Sequence, residues 1–274
     1  MRGSTPCHDD DTRRYGGNTS CVGLSAPDQA PLVFDLGTGL RYCGDRVPAT
    51  GPFQGNCLLT HMHWDHVQGL PFFVPTLRDG AQFNIYGPTQ DDGRTVREVF
   101  ESIIKPPMFP VSLTSLPGQF EFHDVDDSDF TIGDLQIKSR LVPHVGKTLG
   151  FRVTYDLTSV TYISDHQMPT DGSMGITAGA RELCQDADLL IHDAQYTTDE
   201  FADKSDWGHC TVDYAVWVAI ECDVKKLALF HHDPTRSDAA VDELLAAARR
   251  RGEKYGVEVF AASENLVVSL PIPS

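Results

Sequence analysis

Thr60-His61-Met62-His63-Trp64-Asp65-His66 follows directly on an apolar segment that predicts a β-strand. Three imidazoles and one carboxylate within six residues are more than a hydrophobic core holds by chance, although a lone histidine is usually structural. Side chains alternate in an extended segment, so His61 and His63 lie on the same side, and a turn then brings in Asp65 and His66. Nitrogen and carboxylate donors of this kind suit zinc, manganese or iron. The segment therefore predicts a metal site.

Further donors stand at the ends of predicted strands, where active sites are usually built on a rigid sheet edge. They are His144 after Phe130–Val142, Asp165 after Val160–Ser164, and His231 after Lys226–Phe230. Seven donors are too many for one tetrahedral ion, so we predict two divalent ions, zinc first, with manganese and iron as alternatives. Asp165 can bridge the ions, and each ion has three further ligands. These sets are His61, His63 and His144 for one ion, and Asp65, His66 and His231 for the other.

The charge of the chain limits the classes of partner. The 274 residues include 39 acidic and 22 basic ones, which gives a formal net charge of −17 at pH 7. A long nucleic acid would be repelled over most of this surface, because its binding depends on Lys and Arg contacts to phosphates. A small anionic substrate is compatible with this charge, since bound metal ions reverse the field locally. We therefore expect a small-molecule anionic substrate and no long nucleic acid.

The sequence also predicts where the protein works. No apolar run approaches the ~20 residues of a membrane helix, and the polar segment Met1–Tyr15 lacks the apolar core of a secretory signal. The seven cysteines are scattered singly without a CxxC pair, which indicates reduced thiols. We expect a cytoplasmic protein with no membrane partner, and a homodimer is compatible with these features.

No repeat, low-complexity segment or linker divides the chain, so residues 1–274 are predicted to form one domain. Strands and helices are interspersed, which predicts two sheets in the middle and helices outside. Predicted helices cover Asp65–Phe73, Arg94–Ile104, Thr211–Glu221 and Ser237–Lys254. Besides the three strands above, predicted strands or closing apolar segments are Ser20–Leu24, Leu32–Leu36, Asn56–Thr60, Phe83–Tyr86, Gly150–Tyr155, Leu189–Ile191, Val257–Ala261 and Leu266–Leu270. Pro107–Asp129 is predicted to be irregular, either a lid or binding loop or a structural wrap-around segment.

The pattern His-x-His-x-Asp-His, followed by a histidine, an aspartate and a final histidine, resembles the signature of the metallo-β-lactamase-fold hydrolase superfamily. The resemblance extends from Tyr15-Gly16-Gly17-Asn18 to the region of His231 and includes Phe34-Asp35-Leu36-Gly37. It implies an α/β (α+β) fold, a four-layer αββα sandwich with two metal ions at the sheet edge. It also implies that Asp35 supports the site by orienting a ligand. The alternative is an aspartate that caps a tight turn before Gly37.

Two later segments resemble the phosphodiesterase branch of that superfamily, which includes ribonuclease Z. They are Leu189-Leu190-Ile191-His192-Asp193-Ala194-Gln195-Tyr196 and Gly208-His209-Cys210-Thr211, against the patterns His-Glu-Ala-Thr and His-Ser-Thr. The resemblance implies that His209 is a catalytic acid and that Asp193 orients it. This chain departs from the pattern at Asp193 for Glu, Gln195 for Thr and Cys210 for Ser. The alternative is that His209 lies at the N-terminus of a helix and has no catalytic role.

Phosphodiester chemistry gives an independent reason for such a pair. Hydroxide on a metal ion can attack phosphorus, but an alkoxide leaving group benefits from a positioned proton donor more than a β-lactam or thioester does. Only 20 residues separate His144 from Asp165, too few for the long arm usual in the ribonuclease branch. We therefore expect hydrolysis of a small phosphodiester, a cyclic nucleotide or cyclic phosphate, with Asp65 as a catalytic ligand.

Arg236 resembles the basic position after the final ligand histidine, where it would hold phosphate bidentately; a surface salt bridge is the alternative. Two other functions stay open. One is hydrolysis of esters, thioesters, lactones or β-lactams on the same metals. The other is a non-catalytic metal-binding or metal-sensing protein.

Overall fold

Two β-sheets form the centre of the molecule in the computed structural model, which describes residues 1–48 and 50–271. The first sheet has the strand order β1-β2-β3-β4-β5, with β1 antiparallel to β2 and the others parallel. Its strands are Val22–Leu24 (β1), Leu32–Phe34 (β2), Gln54–Leu58 (β3), Gln82–Gly87 (β4) and Gln119–Asp124 (β5).

The second sheet has the order β12-β11-β10-β9-β8-β7-β6. Its strands are Ser128–Ile132 (β6), Leu135–Leu141 (β7), Leu149–Tyr155 (β8), Thr158–Ile163 (β9), Leu189–Asp193 (β10), Lys226–Phe230 (β11) and Glu258–Ala261 (β12). The strands from β9 to β12 are parallel, whereas β6 to β9 form an antiparallel meander. The carboxyl ends of the parallel strands consequently share one edge, which is where functional side chains collect in such sheets.

Helices cover the outer face of each sheet. In the described part of the chain they are Leu40–Cys43 (α1), Trp64–Val67 (α2), Val96–Ile103 (α3), Ala178–Cys184 (α4), Thr198–Asp203 (α5), Val212–Glu221 (α6) and Asp238–Glu253 (α7). Ser237 caps α7, because its hydroxyl accepts a hydrogen bond from the backbone N–H of Ala240. Thr211 caps α6 in the same way through the N–H of Tyr214.

Three buried apolar clusters separate the four layers. One lies between the sheets and includes Phe34, Phe151 and Phe230. The second joins the outer face of the first sheet to α3, and the third joins the outer face of the second sheet to α4, α6 and α7. The predicted αββα sandwich is confirmed.

Several predicted elements differ from the observed ones. Pro107–Asp129 is not irregular throughout: it contains β5, whose alternation of Phe120 and Phe122 with polar residues was outweighed by the flanking prolines. Phe130–Val142 is not one strand, since a turn with Gly133 at φ +56° divides β6 from β7. Leu266–Leu270 lines the inter-sheet region without forming a strand, and α4 and α5 were not predicted.

None of the helices in these two described ranges combines the length and apolar character needed to span a membrane. All seven cysteines are free thiols.

Candidate metal centre

The seven predicted metal ligands meet at the edge of the sheets formed by the carboxyl ends of their strands. His61 and His63 lie in the extended segment after β3, which turns into α2 with Asp65 and His66. His144 lies in the turn between β7 and β8, Asp165 follows β9 and His231 follows β11. Five donors therefore follow the end of a strand, and the other two lie in the short helix α2 that follows β3, so the sheets fix the backbone from which they project.

The first predicted set is a cluster of three imidazoles. The donor atoms of His61, His63 and His144 lie within 4.8 Å of one another, with His144 Nε2 3.1 Å from His63 Nδ1. The other nitrogen of His144, Nδ1, donates to the backbone carbonyl of Gly208 at 2.6 Å. Because a carbonyl only accepts, this contact fixes the tautomer and leaves Nε2 of His144 unprotonated and free to bind a metal ion.

The second predicted set combines Asp65, His66 and His231, whose donor atoms also lie within 4.8 Å. Asp65 Oδ2 is 3.2 Å from the Nε2 atoms of both histidines. The backbone N–H of Ser4 donates to the same oxygen at 2.8 Å. His231 Nδ1 is 2.8 Å from the amide oxygen of Gln195. The carboxylate of Asp65 and the imidazole of His231 therefore each have a hydrogen-bond partner outside the donor set.

Asp165 lies between the two sets. Its Oδ2 is 3.2 Å from His66 Nε2, and its Oδ1 is 3.4 Å from His231 Nε2 and 3.8 Å from His144 Nε2. Nε2 of His61, Nε2 of His66 and Oδ2 of Asp165 are buried without a properly aligned hydrogen bond in the described residues. Buried polar atoms without a hydrogen-bond partner are unfavourable. A cation bound among these converging atoms would give each of them a partner. The donor set therefore fits divalent metal ions.

Two imidazoles of the first set have the protonation that metal binding requires. Burial lowers the pKa of His61 well below its ordinary value and that of His144 to about 4. Both imidazoles are consequently neutral at pH 7, the form that binds metals. Burial also lowers the pKa of His66, but Asp65 and Asp165 outweigh it, and the net shift is well upward. A cation bound beside Asp65 and Asp165 would neutralise the same negative charge.

Asp35 is fully buried below the cluster. Its Oδ1 accepts hydrogen bonds from the backbone N–H and the hydroxyl of Thr60 at 2.8 and 2.9 Å. Its Oδ2 accepts from His66 Nδ1 at 2.8 Å and from the Tyr162 hydroxyl at 2.9 Å. The contact to His66 leaves Nε2 of that ring to face the other donors, which is the geometry that the predicted supporting role requires. Tyr162 could not be foreseen from the local sequence motif.

His209 lies beside the cluster, within hydrogen-bond distance of Asp193. His209 Nδ1 donates to Asp193 Oδ2 at 2.9 Å, and the backbone N–H groups of His166 and Gln195 hold the same carboxylate at 3.0 Å each. The His209 ring stacks on that of His231 at a centroid distance of 4.9 Å. Burial lowers the pKa of His209, but the carboxylates of Asp193, Asp165 and Asp65 together outweigh it, so the net shift is upward. The aspartate that replaces the glutamate of the branch pattern thus reaches the histidine.

Arg236 does not point a free guanidinium at the cluster. Its Nη2 donates to Glu200 Oε2 at 2.7 Å and to the backbone carbonyl of Gln195 at 2.8 Å. The backbone carbonyl of Arg236 in turn accepts from the buried guanidinium of Arg2 at 2.7 Å. The structure therefore favours the salt-bridge alternative over the predicted phosphate contact, because the turn after His231 directs this side chain towards α5.

Besides Tyr162, three groups that hold the site could not be predicted from the sequence. The backbone N–H of Ser4 and the carbonyl of Gly208 carry no sequence signal, because any residue supplies these atoms. Gln195 was noticed only as a departure from the branch pattern. A search for buried acceptors next to ligand histidines would have selected it, but that requires the fold.

Comparison with known proteins identifies the family. A family model described as the β-lactamase superfamily domain matches residues 55–232. The chain belongs to this superfamily.

Other members of the superfamily resemble this chain over nearly its whole length. Ribonuclease Z of Natronomonas pharaonis is 26% identical, over 96% of this chain and 94% of the relative. The metallo-β-lactamase-fold protein YhfI from Bacillus subtilis superposes with a TM-score of 0.71 at 20% identity, covering 96% of this chain and 92% of that one. Human tRNase Z, short form, gives a TM-score of 0.69 at 20% identity and covers 98% of both chains.

These findings confirm the predicted superfamily and its ribonuclease Z-like branch, and the prediction of a metal-dependent hydrolase. The non-catalytic alternative is accordingly set aside. The expectation that a long nucleic acid is excluded as a partner is wrong, since the curated relatives include proteins named ribonuclease Z. The net charge misled because it averages over the whole surface, whereas nucleic-acid binding depends on the local field, which bound metal ions would make more positive at the donor cluster.

Proposed function

We propose that this superfamily member is a binuclear-metal phosphodiesterase in which His209 protonates the leaving group. The two predicted donor sets, bridged by Asp165, would hold two divalent ions, zinc first, with manganese or iron as alternatives. When bound, such ions lower the pKa of a coordinated water and so supply the nucleophile, and they neutralise charge that develops on the phosphoryl oxygens.

One observation carries the proposal: an imidazole that is not assigned as a metal ligand stands at the donor cluster and is oriented by a buried carboxylate. Asp193 accepts from His209 Nδ1 at 2.9 Å, which makes Nε2 the nitrogen available to a substrate. The Asp193 carboxylate is itself held by two backbone N–H groups, so the imidazole is fixed before substrate binds.

In this mechanism each of the following residues has a separate role. His209 delivers a proton from Nε2 to the departing oxygen, and Asp193 holds the ring and stabilises its charged form. Asp35 keeps His66 in the tautomer with a free Nε2. The backbone N–H of Ser4 holds Asp65, which keeps its carboxylate turned towards the other donors.

We propose a small phosphodiester, a cyclic nucleotide or a cyclic phosphate, as the substrate. Support comes from the short β8–β9 hairpin, which accounts for most of the residues between His144 and Asp165. RNA is the second candidate, favoured by the relatives named ribonuclease Z.

The decisive experiment compares His209→Ala on two kinds of leaving group. With an alkyl or ribose diester, kcat/KM should fall ~10²–10⁴-fold, the range for a positioned acid. A p-nitrophenyl diester, whose leaving group is already a stable anion, should lose much less. His123→Ala is the matched control, because this ring on β5 stacks on Tyr86 and belongs to neither donor set. Equal losses on both substrates would show that His209 packs or binds rather than donates a proton.

The same preparation distinguishes the substrate classes. A panel should contain 2′,3′- and 3′,5′-cyclic nucleotides, a precursor tRNA with a 3′ extension, a carboxylic ester and a lactone. A cyclic nucleotide with the highest kcat/KM supports the first candidate, and the precursor tRNA supports the second. Turnover of the ester or lactone with none of any diester would contradict a phosphodiesterase and favour the carbon-ester alternative.

The predictions of a single domain over residues 1–274 and of a cytoplasmic location belong to the same proposal. The free thiols support the latter. A homodimer stays a prediction.

A further inference from the structure

Gln195 is the residue at which this chain departs from the threonine of the branch pattern, and its side chain is 4% exposed. Its amide oxygen lies 2.8 Å from His231 Nδ1. An amide oxygen only accepts, so His231 Nδ1 carries the proton and Nε2 keeps its lone pair. Nε2 is the nitrogen that faces Asp65 and Asp165, at 3.2 and 3.4 Å. Gln195 therefore sets the tautomer that a metal ligand needs.

The backbone of Gln195 is held from two directions. Its N–H donates to Asp193 Oδ1 at 3.0 Å. Its carbonyl accepts from Arg236 Nη2 at 2.8 Å. Gln195 consequently stands between the carboxylate that orients His209 and the segment that follows His231, and it cannot move without disturbing one of them.

The N-terminal segment packs against the same Nδ1 edge of the His231 ring that Gln195 contacts. A Cβ atom on Gly3 would lie 2.3 Å from the ring atoms Cε1 and Nδ1 of His231 and 2.9 Å from the amide oxygen of Gln195. Only a glycine leaves room for the imidazole here. His231 itself has φ +56°, a backbone conformation that is unfavourable for histidine and persists only where the surroundings impose it.

We propose that Gln195 is the positioning residue for His231 and that it tunes the affinity of the second donor set for its ion without affecting the first set. The proposal rests on the ligand assignment of the proposed function. The first set depends on other outer partners, the Gly208 carbonyl for His144 and the Thr60 hydroxyl for His61. Loss of the Gln195 amide should therefore weaken one ion selectively.

The test measures metal binding in the absence of substrate. Wild type, Gln195→Met and Gln195→Glu are stripped of metal and titrated with Zn²⁺ against a chromophoric chelator, and Co²⁺ is added separately to record its d–d absorption. Gln90→Met is the matched control, since among the described residues the Gln90 side chain bonds only the carbonyl of Pro88, away from the donors. Circular dichroism of the metal-free proteins reports whether each variant folds.

Gln195→Met should lose ~10–100-fold in affinity for one of two ions, the usual effect of removing an outer partner of a ligand. The other ion should stay within about twofold, and the Co²⁺ spectrum of the weakened site should change. Gln195→Glu, which restores an acceptor, should recover the affinity and the spectrum, a rescue that a purely packing role would not give. Equal loss of both ions, unchanged affinity in Gln195→Met, or failure of Gln195→Glu to rescue would overturn the proposal. No substrate is involved, so these results stand apart from the choice between phosphodiester and carbon ester.

Discussion

Replacement of Asp35 by asparagine should separate the fold of the site from its ability to bind metal. The carboxylate accepts four short hydrogen bonds, two on each oxygen. Asparagine keeps one acceptor, which can continue to serve Thr60, but it turns an NH₂ group towards His66 and Tyr162. The tyrosine hydroxyl can rotate and accept. His66 can adapt only by moving its proton from Nδ1 to Nε2, and a protonated Nε2 cannot bind a metal ion.

The expected magnitudes follow from these contacts. Loss of the outer partner of one ligand should weaken metal binding ~10–100-fold, which corresponds to about 1.4–2.7 kcal/mol. The free energy of unfolding of the metal-free protein should fall by ~1–3 kcal/mol, the range for one buried donor left without an acceptor. The two numbers come from different measurements, chelator competition and urea denaturation.

Asp188→Asn is the matched control. Asp188 also accepts backbone and side-chain hydrogen bonds, from Ser159 at 2.8 Å and from Lys225 at 2.7 Å, but it touches no donor of the cluster. Its substitution should reduce stability and leave metal affinity within about twofold. If Asp35→Asn bound both ions as tightly as wild type, Asp35 would not set the tautomer of His66, and the turn-capping alternative would account for it.

The remaining predictions concern the ions, the ligands and Arg236. Purified protein should hold close to two transition-metal ions per chain by elemental analysis, and one ion or none would contradict the pairing of the donor sets. Chelation should lower the melting temperature, because a ligand present at 100 times its Kd stabilises by about 2.7 kcal/mol; an unchanged melting curve would argue against metal binding at these donors. His63→Ala and Asp65→Ala should each abolish turnover with an unchanged circular dichroism spectrum, whereas activity within a few fold of wild type at unchanged metal content would contradict the mechanism. Arg236→Ala should lower the free energy of unfolding by ~1–2 kcal/mol through its lost hydrogen bonds and leave KM for a diester within about twofold; a tenfold rise in KM at unchanged stability would restore the phosphate contact.

The sequence was most informative where the candidate functional residues are contiguous in the chain. The segment from His61 to His66 predicted a metal site and, through its resemblance, the superfamily, of which the second is confirmed. His144, Asp165 and His231 could be selected because each follows an apolar strand, and parallel strands bring their carboxyl ends to one edge.

The features of the site that the sequence did not predict depend on packing between segments that are distant in the chain. The Ser4 backbone contact to Asp65 joins residues 61 positions apart, and a backbone N–H has no identity in the sequence. For Arg236, nearness to His231 along the chain suggested nearness to substrate, whereas its guanidinium donates to Glu200 on α5, a contact that the sequence does not show. β5 was missed because Pro110 and Pro117 were read as breaking the whole segment, whereas both lie before the strand begins.

The donors of the two sets become available at different stages of chain synthesis. The imidazole set is complete in the sequence once the chain has reached His144, whereas the other set waits for His231, which follows the penultimate strand β11. A chain cut or stalled before β11 retains every predicted ligand of the first set and lacks His231 of the second. With one ion on each predicted set, the number of ions per chain would measure what fraction of a preparation extends past His231, a quality check that needs no substrate.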